Sequence, residues 1–392
     1  MISIVFVSNF FNHHERFFCD ELYNNPDVEF MFIQTQRMDD ERVNLGWGLN
    51  LDEFPYVMCS YGTGNEYNKA IQICNEADVL ILGSAPYEFV KYRVKHNKLT
   101  FYYAERLFRK GLWHMLNPCT FFTVFKRFII PGHKSNFYLL ASSAYTALDT
   151  YWISAFSDRR FKWGHFIEVL YPQKRKFKQK RDKVKLLWVG RFLPLKHPEY
   201  PIKTAKRLKE LGVAFSMDII GSGIEEENIL KKINQYNLSD NVSLHSPMPP
   251  EEVRNYMEDA DIYMFTSDFN EGWGAVLGEA MTSGCAVVSS HGIGATPFLV
   301  KHGINGLIYR TGNYKSFETN VIKLINDSSL RERLSENAID TMMTQWNPCT
   351  GATRFCELCK SLLTTGKTVF YQEGPISKAD ILKNNWFSDD TI

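Results

Sequence analysis

The chain has 392 residues, 44% of them apolar and 23% charged, the composition of a packed protein and not of a disordered or fibrous one. It is too long for one ordinary hydrophobic core and suits two. Its unbroken apolar runs, such as Ile4–Val7, Val79–Leu82 and Phe137–Ala141, fall far short of the ~18 residues a membrane-spanning helix needs. Met1–Val7 reads as a first strand and not as a secretion leader. Eight irregularly spaced cysteines suit a reducing cytoplasm better than a disulfide framework.

A net charge of +1 hides a strong polarity. Residues 1–90 carry 4 basic and 14 acidic side chains, residues 91–185 carry 21 and 5, and the remainder carries 20 and 25. A basic middle beside an acidic start implies a surface that meets anions, or else a solvated face and a charged linker.

In chain order, buried strands are expected at Ile2–Val7, Glu29–Ile33, Val79–Gly83, Thr100–Tyr103, Phe137–Ala141 and Phe166–Leu170, with helices at Glu15–Asn24, Glu66–Ala77 and Pro86–His96. The alternation predicts a parallel sheet covered on both faces. It restarts with strands at Lys185–Val189, Ser216–Ile220, Val242–His245, Ile262–Phe265 and Ala286–Ser290. Helices are expected there at Glu199–Leu211, Glu225–Tyr236, Glu251–Asp259, Ala275–Thr282 and Tyr314–Asn326. The polar, basic stretch 171–185 lacks either period and reads as a linker. The expected division is a first domain over 1–170, that linker, a second domain over 186–365 and a tail over 366–392. Within the tail, Ser377–Trp386 has helical spacing and a capping-box start, Ser377 with Asp380. Glu76–Leu82 and Asp259–Phe265 echo one another, each a helix end, an acidic corner and a strand. The fold class is α/β: two doubly wound domains facing each other across a cleft, with ligands at the carboxyl ends of the strands.

The most informative segment follows the strand Ile262–Phe265. Glycines in Glu271-Gly272-Trp273-Gly274 let backbone approach a ligand, and the helix start beyond them offers N–H groups and positive dipole to phosphate. Glu279 lies eight positions after Glu271, just over two turns if the interval is helical, so the two carboxylates would hold opposite ends of one ligand. The bland alternative is a helix N-terminal acid and a solvated helix residue. Gly190-Arg191 ends an earlier strand with Lys196 five residues on, a fork and an ammonium suited to diphosphate. Gly221-Ser222-Gly223 makes a second small-residue turn at the same edge.

These elements, in this order and with Asn305-Gly306-Leu307-Ile308 after them, resemble the retaining glycosyltransferases of family 4 over roughly 185–345. The Glu-x7-Glu spacing is the most specific part. The resemblance implies a GT-B fold of two Rossmann-like domains and a nucleotide-sugar donor held mainly by the second. By position it gives Arg191 and Lys196 the diphosphate, Glu271 the donor sugar, Gly190, Gly221, Ser222, Gly272, Trp273 and Gly274 the donor-binding loops, and Glu279 the ribose. It also implies that the tail crosses back to the first domain. Two departures stand out: the loop Ser8–Glu15 lacks the family's glycines, and Pro297-Phe298 stands where the family has proline and glutamate. The N-terminal half, with Thr100–Arg106 and Phe161–Gly164, resembles bacterial surface-polysaccharide enzymes.

The implied reaction is retaining transfer of a sugar from a nucleoside diphosphate to a glycan or lipid-linked acceptor. The alternatives are an epimerase of the same fold or a non-catalytic nucleotide-sugar-binding scaffold. No cofactor and no metal are expected, because two cations and a dipole stand in for one. Asp259-Ala260-Asp261 reads as a helix end before a buried strand and not as a metal motif. In the first domain Asn9, His13, His14 and Glu105 fall at expected strand ends, as candidates to contact the sugar or orient the acceptor hydroxyl. Cys356 and Cys359 read as one packed helix face. Residues 106–134 mix cations with aromatics and leucines, which suits peripheral attachment to an anionic membrane on its cytoplasmic face. No nucleic-acid-binding pattern accompanies them.

Overall fold

The computed structural model describes residues 1–39, 43, 48–109, 111–169 and 182–389. The chain divides into two compact units, Met1–Ile167 with Trp346–Lys383, and Glu168–Gln345 with Asn384–Ile392.

The first unit holds a parallel sheet of seven strands: β1 (Ile2–Ser8), β2 (Val28–Gln34), β3 (Val57–Cys59), β4 (Val79–Leu82), β5 (Thr100–Ala104), β6 (Phe137–Ala141) and β7 (Arg160–Lys162). Their spatial order is β3-β2-β1-β4-β5-β6-β7. Strands β4 and β6 are buried along their whole length, which is why they read as continuous apolar runs and not as alternations. The second unit repeats the plan with β8 (Val184–Val189), β9 (Phe215–Ile220), β10 (Val242–His245), β11 (Ile262–Phe265), β12 (Ala286–Ser290) and β13 (Leu307–Tyr309), in the order β10-β9-β8-β11-β12-β13. Strand order reverses between β1 and β4 and again between β8 and β11. The loops leaving those strands are where such sheets take ligands.

The internal echo has a physical cause. Asp78 Oδ2 accepts the Ser3 N–H at 2.9 Å, and Asp261 Oδ2 accepts the Lys185 N–H at 2.8 Å. Each acidic corner thus satisfies an amide at the start of the neighbouring central strand, a group that would otherwise lack a partner. Asp259 pairs with the Lys185 ammonium, and Ala260 between the two acids is buried. This places Asp259-Ala260-Asp261 at the amino end of the sheet.

Several expectations are corrected. Phe166–Leu170 is not a strand over its described residues. Phe166 is buried against the rings of Phe18 and Trp163, and the outer pairing position belongs to Arg160–Lys162. Apolar burial there comes from ring packing and not from a ladder. Strands β3 and β13, three residues each, are too short to announce themselves by pattern. The helix Pro348–Thr365, expected with the second half, belongs to the first unit. Asn347 caps its start by accepting the Thr350 N–H at 2.8 Å, Gly366 ends it at φ +69, and Phe355 meets Phe18, Phe101 and Trp163. Cys356 and Cys359 are buried on this helix.

Within the tail, Ser377–Trp386 is not helical. Ser377 Oγ donates to Gly374 O at 2.7 Å instead of capping a helix, and Ile376 sits at φ +63. Ile376 and Ala379 donate to Lys162 O and Arg160 O, and Lys162 donates to Ser377 O. The tail therefore pairs with the exposed edge of β7. Of the expected linker, residues 171–181 lie outside the described residues, and Val184 and Lys185 already belong to β8. Among the described residues no helix is long and apolar enough to cross a membrane.

Candidate functional site

At the carboxyl edge of the second sheet, backbone ties three loops together. Gly190 N donates to Ile220 O at 3.0 Å, Phe192 N to Ser222 O at 2.7 Å, and Gly221 N to His245 O at 3.0 Å. A Cβ on Gly221, at φ +149, would stand 2.0 Å from Gly190 O. Only glycine permits that approach. Across the switch point, Thr266 Oγ1 accepts from Trp188 Nε1 at 2.8 Å and donates to Lys196 O at 2.5 Å, while Asp268 N donates to Leu195 O at 2.9 Å. The β8 and β11 loops are thus one structure.

That structure brings Lys196 and Glu271 together. The Lys196 ammonium pairs with Glu271 Oε2, and both side chains keep 15% exposure. Arg191 is exposed on the same loop as Lys196 and has no ion-pair partner among the described residues. Beside them His197 bonds Glu199 at 3.1 Å, which raises its pKa, with Asp268 adding a weaker pull.

Gly272–Gly274 leads from Glu271 to the helix Val276–Thr282. Gly274 lies at φ +83, where a Cβ would come within 2.7 Å of the Phe265 ring. This left-handed residue keeps the interval from Glu271 non-helical and places Glu279 in the helix's first turn, so the expected separation of just over two helical turns does not hold. Trp273 supplies backbone and not its ring to the loop: the indole is 2% exposed, packed 6.1 Å from Phe298, and Trp273 O accepts the Ala295 N–H at 3.0 Å. The phenylalanine at the departure Pro297-Phe298 thus has a packing role.

Glu279 is half-buried and has a neighbour absent from the sequence reading, Arg254 on the helix Pro250–Asp259. Burial lowers the Arg254 pKa, against the attraction of Glu279, Glu258 and Glu168. Its Nε and Nη2 are buried without a hydrogen-bond partner among the described residues. An arginine in a polar helix carries no sequence signal of this kind.

The carboxyl edge of the first sheet is built from titratable side chains. Asn12 caps the helix His13–Tyr23 by accepting the His14 N–H at 2.8 Å, and Asn9 O accepts from Thr35 and Gln36. The rings of His13 and His14 lie 4.0 Å apart, and His165 meets His14 at 5.0 Å. His165 Nε2 lies 3.2 Å from the Tyr103 hydroxyl and 3.7 Å from Glu105 Oε1. Glu105 also pairs with Arg109. His165 therefore joins His14 to Glu105, which the sequence offered as separate candidates. Burial and His165 push His13 down to about 4, and burial lifts Glu15 up to about 7. His165 and Glu15 were missed, because neither stands in a motif. Beyond β2 and β3, a cavity of about 420 Å³ is lined by Phe11, Gln34, Arg37, Asn50 and Tyr61 among others. Gln34 Oε1 accepts the Phe11 N–H there, and Arg37 lies 5.4 Å from the Tyr61 ring.

Comparison with known proteins adds the following. Residues 172–341 match the family Glycosyl transferases group 1. An uncharacterised glycosyltransferase of Methanocaldococcus jannaschii is 29% identical over 175 residues, 44% of each chain. The amylovoran biosynthesis glycosyltransferase AmsK of Erwinia amylovora is 31% identical over 146 residues, 36% of each. The matches thus span less than half the length of these curated relatives. Among solved structures, Anabaena HepE in complex with UDP superposes with a TM-score of 0.69 at 15% identity, covering 92% of this chain and 100% of that one. Two doubly wound parallel sheets and these likenesses give the chain the α/β two-domain GT-B fold, with residues 172–341 matching the group 1 glycosyl transferases.

Proposed function

We propose that the chain is a retaining glycosyltransferase that moves a sugar from a nucleoside diphosphate sugar to a hydroxyl of a glycan or lipid-linked acceptor. The observation that carries this reading is the Lys196–Glu271 pair at the β8/β11 switch point, with Arg191 exposed beside it. When the bond from the anomeric carbon to the diphosphate breaks, negative charge grows on the leaving oxygen. Arg191 and Lys196 stabilise it in place, with no reorganisation at that moment. Glu271, displaced from Lys196 as the donor enters, already accepts hydroxyls of the donor sugar. Glu279, steadied by Arg254, takes the ribose. A new bond forms from the anomeric carbon to the acceptor oxygen, and the acceptor proton leaves with the diphosphate. The acceptor side belongs to the first unit, around His13, His14 and Glu105. The UDP in the HepE complex favours uridine donors for the first trial, and AmsK's role in amylovoran biosynthesis favours a polysaccharide acceptor.

The test is calorimetry with uridine, guanosine, adenosine and thymidine diphosphate sugars, followed by product analysis with a labelled donor. Transfer with retained anomeric configuration, insensitive to a chelator, is expected. Lys196→Ala and Glu271→Gln should each lower kcat/KM by about 10²–10³. An isomerised donor would replace this reading with an epimerase, and donor binding without turnover would leave a scaffold. Absence of binding to any of the donors would remove it.

A further inference from the structure

The segment after β5 leaves a large apolar surface uncovered. Trp113 is 64% exposed, Leu116 85% and Phe122 66%, with Leu112, Phe121 and Phe125 each near 40%. No residue of the 3₁₀ turn Leu112–Leu116 or of the helix Pro118–Val124 is buried. The helix runs on through a π turn, Phe125–Ile129, to Ile130–Gly132. There Pro131 and Gly132 are buried, and Phe128 meets Tyr102 edge-on at 5.8 Å. The segment is therefore rooted at its C-terminal end while its aromatic N-terminal half is displayed. Exposed apolar surface of this extent marks an interaction site.

Charge selects the partner. No acidic residue occurs from 106 to 148. Arg106 is buried against Asp149, Arg109 pairs with Glu105, and Arg127 donates to Ala85 O. Among the described residues, Lys126, exposed beside the Tyr87 ring, and the half-buried Lys134 supply the cations at this segment. A second copy brought against this face would set cation against cation. An anionic bilayer complements both the charge and the aromatic belt, whose amphipathic indole and apolar phenyl rings suit the boundary between headgroups and acyl chains.

We propose that Leu112–Lys134 docks the protein on an anionic phospholipid surface, with Trp113, Leu116, Phe121 and Phe122 entering the interface and Lys126 and Lys134 resting on headgroup phosphates. The inference is independent of the transferase reading, since vesicle binding needs no donor. The experiment floats the full chain with phosphatidylcholine vesicles, with and without phosphatidylglycerol, at low and physiological salt. Binding is expected only with phosphatidylglycerol and should weaken as salt rises. Lys126→Gln with Lys134→Gln should lower partition about 30-fold. Trp113→Ser with Phe122→Ser should lower it about tenfold or more, with unchanged circular dichroism in both variants. The proposal is overturned if the wild type ignores phosphatidylglycerol vesicles at low salt, or if both double variants float as it does. It is equally overturned if sedimentation shows a dimer that Trp113→Ser with Phe122→Ser dissociates while vesicle binding persists.

Discussion

The two sheets present their carboxyl edges in opposite ways. In the second unit the edge is a backbone construction: glycines at positive φ let loops touch, and the Lys196–Glu271 pair sits on the result with His197–Glu199 beside it. In the first unit the edge is a side-chain construction, three imidazoles and two carboxyl groups supported by a capped helix and by Tyr103. The same fold therefore supports one edge locked by backbone contacts and another made of titratable side chains whose state depends on pH. The lesson is that shared topology fixes where a site lies, while loop composition fixes whether geometry or protonation controls it.

Three measurements probe that contrast. The largest effect is expected from Phe355→Ala, which empties a fully buried position among Phe18, Phe101 and Trp163. A loss of about 3–5 kcal/mol is expected. Hydrogen exchange should accelerate in β1–β7 and leave β8–β13 protected; equal acceleration in both sheets would dissolve the two-unit description.

Gly221→Ala comes next. Its Cβ overlaps Gly190 O in a backbone region that side chains avoid, so about 2–3 kcal/mol should be lost, from the second unit alone. A variant that melts like the wild type would show that the β8 and β9 loops are not locked by backbone.

The third effect is conditional on pH. Burial raises Glu15 from 4.5 to about 7, so the folded state retains a proton that the unfolded chain releases, and stability falls as pH climbs through that interval. His13, lowered from 6.5 to about 4, acts oppositely, because unfolding takes up a proton and stability rises between those values. Above pH ~6.5 the Glu15 contribution is still changing while that of His13 is complete. Glu15→Gln should therefore be more stable than the wild type by about 3 kcal/mol above pH ~7, and equal to it below pH ~4. Denaturant titrations at both extremes check the sign.

Legibility followed the same divide. Strands such as Phe137–Ala141 and Ile262–Phe265 were readable to the residue, because burial on both faces writes itself as a short apolar run. Lys196 and Glu271 were readable as candidates because glycines and strand ends frame them. Their direct pairing was not, since it depends on Thr266 clasping Lys196 O across 70 positions. Arg254, Glu15 and His165 stayed hidden for a related reason: their surroundings are assembled from distant segments, and a titratable residue shows its environment only once folded. The tail misled because its capping-box spacing and helical period are local signals, and pairing with β7 overrode them.

That pairing has a consequence for synthesis. Strand β7 emerges from the ribosome long before Ile376–Ala379, which arrive more than half a chain later to close its edge. The helix bearing Phe355 is also delayed. The nascent N-terminal sheet must wait, with an open margin and an unfilled aromatic socket, until the second unit has been made. A stall or truncation before residue 346 would strand it in that sticky state, where chaperones would be its natural guardians.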